Sequence, residues 1–334
     1  MKKFIFTILA LILIGLFAYH FIAANQAERN MDEAIQMQAD ALGNALSVQY
    51  SSIDISPFSG NINFSDGTIV RQSNIERFKN AEIDLDYVDF LKITFKGLKD
   101  GLRTIEEGTI RVQKASHLNR ETLQEISSSE MNILYTGNLW DGLQYLAAGH
   151  LLDYNHKINI TGTDIRYNKP QSTIGTFESD SAAFRYAFRA ASPEQQSKNN
   201  NIRFDEIVWT PPAEFQKKYA FFIKGFGYPL DAIPVTNMGV SFSSLSNPRI
   251  NIDSGQLETD LFTLQAEGLL VKRSSWAQTQ LSPLTVTLTN ASDEFKNVLS
   301  NIQQLLNLPI PNQNDAITFT LKGPLNNPQL TPQN

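Results

Sequence analysis

The chain has 334 residues, 42% of them hydrophobic, 10% aromatic and 19% charged, which is the make-up of globular protein rather than of a disordered or fibrous chain. It contains no cysteine, and this excludes disulfide staples, thiolate metal ligation and cysteine nucleophiles. A net charge of −6 lacks the basic excess that a general nucleic-acid binder shows.

Met1-Lys2-Lys3 is followed by an apolar run from Phe4 to Ala24. As a helix it would reach about 31 Å, enough to cross a hydrocarbon core of about 30 Å. Two lysines precede the run and Glu28 and Asp32 follow it, so residues 1–24 are predicted to be a transmembrane anchor with a cytoplasmic N-terminus and an exported body. A cleavable signal peptide ending at Ala23-Ala24 is the competing reading, although the run is longer than the roughly 7–15 residues usual for a signal core. Lipoprotein anchoring is excluded, because there is no lipobox cysteine.

Residues 25–46 read as an amphipathic stalk helix. Ala27, Met31, Ile35, Leu42, Ala45 and Leu46 fall near one face, and Glu28, Arg29, Asp32 and Glu33 lie on the other. From Ser47 the period changes to two. Val48 and Tyr50, then Ile53 and Ile55, Ile62 and Phe64 alternate with polar residues up to Asp66-Gly67. Ile69, Ile83/Leu85/Tyr87, Ile110/Val112, Ile133/Tyr135, Ile158/Ile160 and Ile165/Tyr167 continue the pattern. Further candidates are Phe184/Tyr186/Phe188, Ile202/Phe204, Val208, Phe221/Ile223, Val240/Phe242, Ile250/Ile252 and Leu257/Leu261. Leu284/Val286/Leu288 and Ile317/Phe319/Leu321 close the series, about fourteen strands over residues 47–323. The predicted fold class is therefore mainly β: an N-terminal transmembrane helix, then a long curved antiparallel sheet, groove-like or sandwich, with two or three amphipathic helices.

One such helix is predicted from Phe90 to Thr104, with Leu91, Phe95, Leu98 and Leu102 as its stripe and Gly97 and Gly101 as weak points. Its basic residues Lys92, Lys96, Lys99 and Arg103 are membrane-surface candidates. The plainer reading is a helix that plugs one end of the sheet and keeps a solvated basic side. Another helix is predicted from Ser292 to Leu306, as a lid on the apolar face, with Phe295, Val298, Leu299, Ile302 and Leu306 as a stripe and Ser292 as cap. Residues 192–201 read as a mobile polar loop, and residues 324–334 as a polar tail that frays.

Chemistry is hard to find. His20, His117, His150 and His156 lack the spacing that sets two imidazoles on one metal. No nucleophile elbow or phosphate loop is present. Asp84, Asp86 and Asp89 could suggest a cation site, but Asp84 and Asp86 fall on the alternate, wet positions of a strand and are read as a solvated face. No catalytic residue, metal or cofactor is predicted. The binding candidates are instead apolar strand positions: Ile53, Ile55, Ile62, Phe64, Ile83, Leu85, Ile110, Val112, Ile250 and Ile252. A sheet open along one seam would offer them to acyl chains as a trough, whereas a closed sandwich would use them as its own core. Periodicity does not distinguish the two.

The layout resembles the AsmA-like proteins of Gram-negative envelopes. Three features carry the likeness. An N-terminal apolar helix feeds the strand pair Tyr50-Ser51-Ser52-Ile53-Asp54-Ile55 and Gly60-Asn61-Ile62-Asn63-Phe64; Ile250-Asn251-Ile252-Asp253-Ser254-Gly255-Gln256-Leu257 with Leu264-Gln265-Ala266-Glu267-Gly268 looks like a strand–Gly–strand repeat; and the end reads Phe319-Thr320-Leu321-Lys322-Gly323-Pro324-Leu325-Asn326-Asn327-Pro328. The likeness covers the two ends; the middle, about Leu139 to Pro248, carries none of it. The resemblance implies a bacterial inner-membrane protein with a periplasmic β-groove, which binds or passes membrane lipids in envelope biogenesis and outer-membrane assembly, beside envelope proteins as possible partners and without catalytic residues. The alternative is a non-enzymatic envelope scaffold with a self-packed sheet. An anchored hydrolase is a third and weaker reading, which would need a convergent Ser, His and carboxylate.

Overall fold

The alternation seen in the sequence becomes antiparallel ladder almost throughout. The computed structural model describes residues 21–33, 35–36, 46–56, 58–138, 140, 157–172, 174–192, 195–245, 249–273, 278–297, 300, 316–325 and 328–332. The chain divides into two compact units, residues 1–121 with 128–156, and residues 122–127 with 157–334.

In unit 1 a helix, α1 (residues 21–33), precedes β1 (Leu46–Gln49), β2 (Ser52–Ile55), β3 (Ile62–Arg71) and β4 (Asn74–Asp84). Helices α2 (Tyr87–Lys96) and α3 (Leu98–Leu102) follow, then β5 (Glu107–Asn119) and β6 (Gln124–Thr136), whose first four residues count with unit 2. The ladder order is β3-β4-β5-β6, and both β1 and β2 pair with the outer edge of β3. No turn forms at Asp66-Gly67; β3 runs straight through, with Asp66 at a φ of 49°. At this level the apolar positions change parity, from Val48 and Tyr50 to Ile53 and Ile55. The Tyr50 ring nonetheless meets the Phe64 ring edge-on at 5.8 Å, so one face stays apolar across the irregularity.

The helix packs against the body with the apolar face read from the sequence, Ala27 being 0% exposed and Met31 4%, whereas Leu46, expected on that face, opens β1, and Leu42 and Ala45 lie outside the described residues. The acids expected on its wet face turn out to bond to the body as well. Glu28 Oε1 accepts the Ile55 N–H at 3.0 Å, and the Tyr50 hydroxyl donates to Asp32. The first contact blunts an edge strand that would otherwise offer unpaired backbone, and the second ties the same helix to the link between β1 and β2. Burial, then the bond to Asp32, pushes the Tyr50 hydroxyl from its ordinary 10.0 up to about 12. Because the folded value lies above the unfolded one, the contribution is complete below pH 10 and disappears as pH rises through about 12. Tyr50→Phe should flatten stability against pH in that window. A tyrosinate absorbance difference between the two proteins that rises near pH 10 would contradict this.

The helix expected over residues 90–104 is two helices. Gly97, at φ 81° and ψ 164°, ends α2 and starts α3. Its buried residues are Phe90 and Ile93, whereas Phe95, expected on the inner stripe, is 64% exposed. Leu85 and Tyr87 do not continue β4: Leu85 follows the strand as a buried residue, and Tyr87 opens α2 behind Asp86, whose carboxylate accepts the Val88 N–H at 3.2 Å.

Unit 2 holds β7 (Lys157–Asn168), β8 (Thr176–Ser192), β9 (Gln195–Thr210), helix α4 (Ala213–Gly225), β10 (Ile233–Leu245), β11 (Arg249–Glu258), β12 (Thr263–Val271) and β13 (Gln280–Thr289). The first turns of a helix α5 follow at residues 293–297, then β14 (Ile317–Pro324) and β15 (Gln329–Pro332). Each strand pairs antiparallel with the next.

Three expectations fail here. Phe221 and Ile223 lie on α4, not on a strand. Pro211-Pro212 leads into the helix, and its end is a Schellman cap: the Tyr228 N–H reaches Ile223 O at 3.1 Å and the Gly227 N–H reaches Lys224 O at 3.0 Å, with Gly227 at φ 77°. The polar stretch 192–201 is mostly strand, because Gln195, Ser197 and Asn201 are paired on both sides, and Asn200 is fully buried with its side-chain oxygen on the Ala187 N–H at 2.8 Å. Likewise part of the tail pairs: Gln329–Pro332 forms β15 against β14. Ladder partners in the neighbouring strands supply what those polar segments lack on their own.

The helix predicted over residues 292–306 does start behind Ser292, whose hydroxyl accepts the Phe295 N–H at 3.1 Å. Phe295 is buried, packing with Leu261 and Leu288 and with Phe226, Phe262, Leu264 and Ile317 at the margin. The rest of that stripe, from Val298 to Leu306, lies outside the described residues. Most of the apolar run 4–24 does too; among the described residues no helix is long and apolar enough to cross a membrane.

Candidate functional site

Cross-strand pairing brings seven of the ten predicted apolar positions into two neighbouring rows of unit 1. The rows are Ile55–Ile62–Ile83–Ile110 and Ile53–Phe64–Ala81–Val112. Ile55 and Ile62 are 2% and 1% exposed, and Val112 and Leu85 are also buried. Phe90, Ile93 and Ile105 are likewise closed off. Ala81 is buried too, so half of each row is core, whereas Ile53, Phe64, Ile83 and Ile110 are half-buried.

The basic candidates sit on α2 and α3. Lys92 Nζ is 2.5 Å from Asp89, Arg103 is 3.5 Å from Asp100, and Lys96 and Lys99 are exposed. The carboxylates have structural employment as well: Asp84 pairs with Arg111 at 3.2 Å, Asp86 caps α2 and Asp89 holds Lys92. His117 faces Glu76 at 3.2 Å, and His20, His150 and His156 lie outside the described residues. Among the described residues no group of three or more His, Asp or Glu is placed to hold a metal ion.

Unit 2 contains the larger apolar surface. Following the pairing from β7 to β14, one row reads Ile160, Phe184, Ile202, Val240, Gly255, Ala266, Val286 and Phe319. The next reads Gly162, Ala182, Phe204, Met238, Leu257, Leu264, Leu288 and Ile317. No polar side chain interrupts either row. Paired residues share a face, and strands lie about 4.8 Å apart, so the strip extends roughly 34 Å across eight strands. The row on the opposite face, from Thr161 through Arg203, Gln256 and Gln265 to Thr318, is mostly polar.

The strip is only partly covered. Phe295 and its neighbours pack over Leu264, Leu288 and Ile317 at the β12–β14 end. Between β7 and β11 the side chains Ile160, Phe184, Ile202, Phe204, Met238, Val240 and Leu257 are all half-buried rather than buried. Ile250 and Ile252, named from the sequence, belong to the same face: Ile252 pairs with Phe242 and Gly268 one row beyond Val240. The others were legible as strand positions but not as one surface.

The strip also crosses a change of parity. Below Phe204 the apolar positions become Ile207 and Trp209, opposite Ser179 and Phe177. Glu206 and Asp164 have φ values of 48° and 49° at that level. Phe177 lies 5.5 Å from Phe204, ring to ring, which is possible only if both are on the same side of the sheet. Beyond it Trp209, Phe215 and Tyr219 continue the aromatic contacts onto α4. An open cleft of about 990 Å³ lies beside the start of α4, lined by Lys169, Thr176, Pro211, Phe215 and Lys218 among others. Comparison of the sequence with known protein families and with curated proteins returns no match.

Proposed function

We propose that this chain is a single-pass protein of a bacterial inner membrane, N-terminus in the cytoplasm, whose periplasmic body binds or passes lipid acyl chains in envelope biogenesis, as the AsmA-like proteins it resembles do. The observation that carries the reading is the half-buried strip of unit 2, in which neighbouring strands present apolar side chains with no polar interruption. Such a surface needs no catalytic group. Each methylene it removes from water contributes about 0.8 kcal/mol, enough to hold a long chain without reading its headgroup. The buried members of the unit 1 rows, Ile55, Ile62, Ala81 and Val112, support the alternative, a self-packed envelope scaffold, since there the same pattern is consumed as core.

Native mass spectrometry of the full chain, extracted from envelope membranes in mild detergent without added lipid, tests the choice. Adducts of phospholipid mass that leave on collisional activation are the expected result. A bare mass from protein shown to be folded would sink the lipid reading and leave the scaffold.

A further inference from the structure

The two sides of the first turn of α1 have different surroundings. Ala23 and Ala24 are 6% and 4% exposed, whereas Phe21 and Ile22, on the same turn, are 53% and 68% exposed. The helix is therefore already against protein within the last turn of the apolar run 4–24, and no spacer separates that run from unit 1. The Phe21 ring meets Phe58 at 6.3 Å, in the turn between β2 and β3. Gly60 of the same turn sits so close to α2 that a Cβ there would lie 2.6 Å from Phe90 Cβ. Helix α1, the turn and α2 thus make up one end of unit 1.

That end is apolar on the outside as well. Opposite the buried Phe90 and Ile93, α2 presents Val88, 56% exposed, and Phe95, 64% exposed. At about 100° per residue they share an outward stripe with Lys92. Phe58, in the turn whose Gly60 closes on Phe90, is 52% exposed, and Lys96, Lys99 and Arg103 follow along α2 and α3. A helix with apolar residues on its outer side and lysines among them suits a bilayer interface better than water.

We propose that the α2–α3 end of unit 1 is a membrane-docking surface: Phe58, Val88 and Phe95 enter the headgroup–acyl boundary of the bilayer, and the lysines meet anionic headgroups. This rests on the reading of residues 4–24 as a membrane anchor. It replaces a body standing off on a stalk with one seated directly on its membrane. Each basic residue that reaches the surface of an anionic leaflet adds about 1 kcal/mol.

The chain has no cysteine, so single cysteines at Val88, Phe95 and Arg120 can carry a polarity-sensitive dye in the full-length protein. Arg120 lies at the far end of β5 from α3, about 40 Å along the strand. In nanodiscs containing phosphatidylglycerol, spin-labelled lipid should quench the dye at 88 and 95 at least threefold more than at 120. Lys92→Glu/Lys96→Glu/Lys99→Glu, or phosphatidylcholine alone, should reduce that difference. Equal quenching in phosphatidylcholine overturns the headgroup assignment. A chain that resists alkaline extraction but shows labels 88 and 95 as water-exposed as 120 overturns docking while the anchor stands. Labels shielded from both lipid and aqueous quenchers would mean a protein partner instead, and release of the chain by alkali overturns the anchor and docking together.

Discussion

Phe90→Ala is expected to destabilise unit 1 by about 3–5 kcal/mol, the usual cost of deleting a fully buried phenylalanine side chain. Phe90 is 0% exposed, and Ile55, Ile62 and Ile93 around that end are 2% exposed or less. The cavity has little room to collapse, because β2, β3 and α2 are each fixed by ladder or cap. Hydrogen exchange on the full chain should show faster opening of β3, β4 and β5 and little change in β10 to β13, since the two groups belong to different units. A loss below about 1 kcal/mol would mean that α2 rests on the sheet rather than plugging it. Gly60→Ala approaches the same contact from the other side. Its Cβ would stand 2.6 Å from Phe90 Cβ, at a φ of +79°, so overlap and left-handed backbone strain of about 1–2 kcal/mol act together. Alanine at position 90 keeps that carbon, and combining the two substitutions should not relieve the clash.

The sequence carried the local part of this architecture well. Alternation located most strands, Ala27 and Met31 marked the inner face of α1, and Ser292 marked the start of α5. These signals are legible because a strand or a cap is decided within a few residues. Even the change of parity between Tyr50 and Ile53 was visible as a pattern. Its meaning was not, because only the contact of Tyr50 with Phe64 shows that both sides of the irregularity face the same way.

What stayed hidden was non-local. Phe221-Phe222-Ile223 reads equally well as buried strand or helix, and the decision lay outside the run, in Pro211-Pro212 before it and Gly227 after it. The asparagines and serines of 195–201 look like loop until β8 and β10 are placed on either side. The strip of unit 2 is the extreme case. Ile202 and Val240 are neighbours only through a register set by the whole of β9 and β10, and no window of sequence contains both. The sequence therefore pointed to the isoleucine rows of unit 1, which are dense and close together in the chain, while the longer surface was spread across eight strands.

That surface yields the prediction with the largest functional effect. Met238→Glu should lower crosslinking of a photoactivatable phosphatidylglycerol to the full chain by about tenfold or more. Met238 lies between Phe204 and Leu257, near the middle of the open part of the strip. An acyl chain lying over it would have to cover a carboxylate, and each 1.4 kcal/mol of that desolvation cost is a factor of ten in occupancy. Because Met238 is only half-buried, the empty protein can leave the new charge in water, so the fold survives and the loss belongs to binding. Gln265→Glu makes the same charge change on the opposite, polar face and should leave crosslinking unchanged. Met238→Leu preserves volume and polarity and should behave as the native chain. If Met238→Glu and Gln265→Glu crosslink equally well in folded protein, acyl chains do not lie on this strip. Loss in both would point to the net charge of the chain rather than to either face. Only loss confined to Met238→Glu, with retention in Met238→Leu, makes the paired rows of β8 to β11 the surface on which the lipid rests.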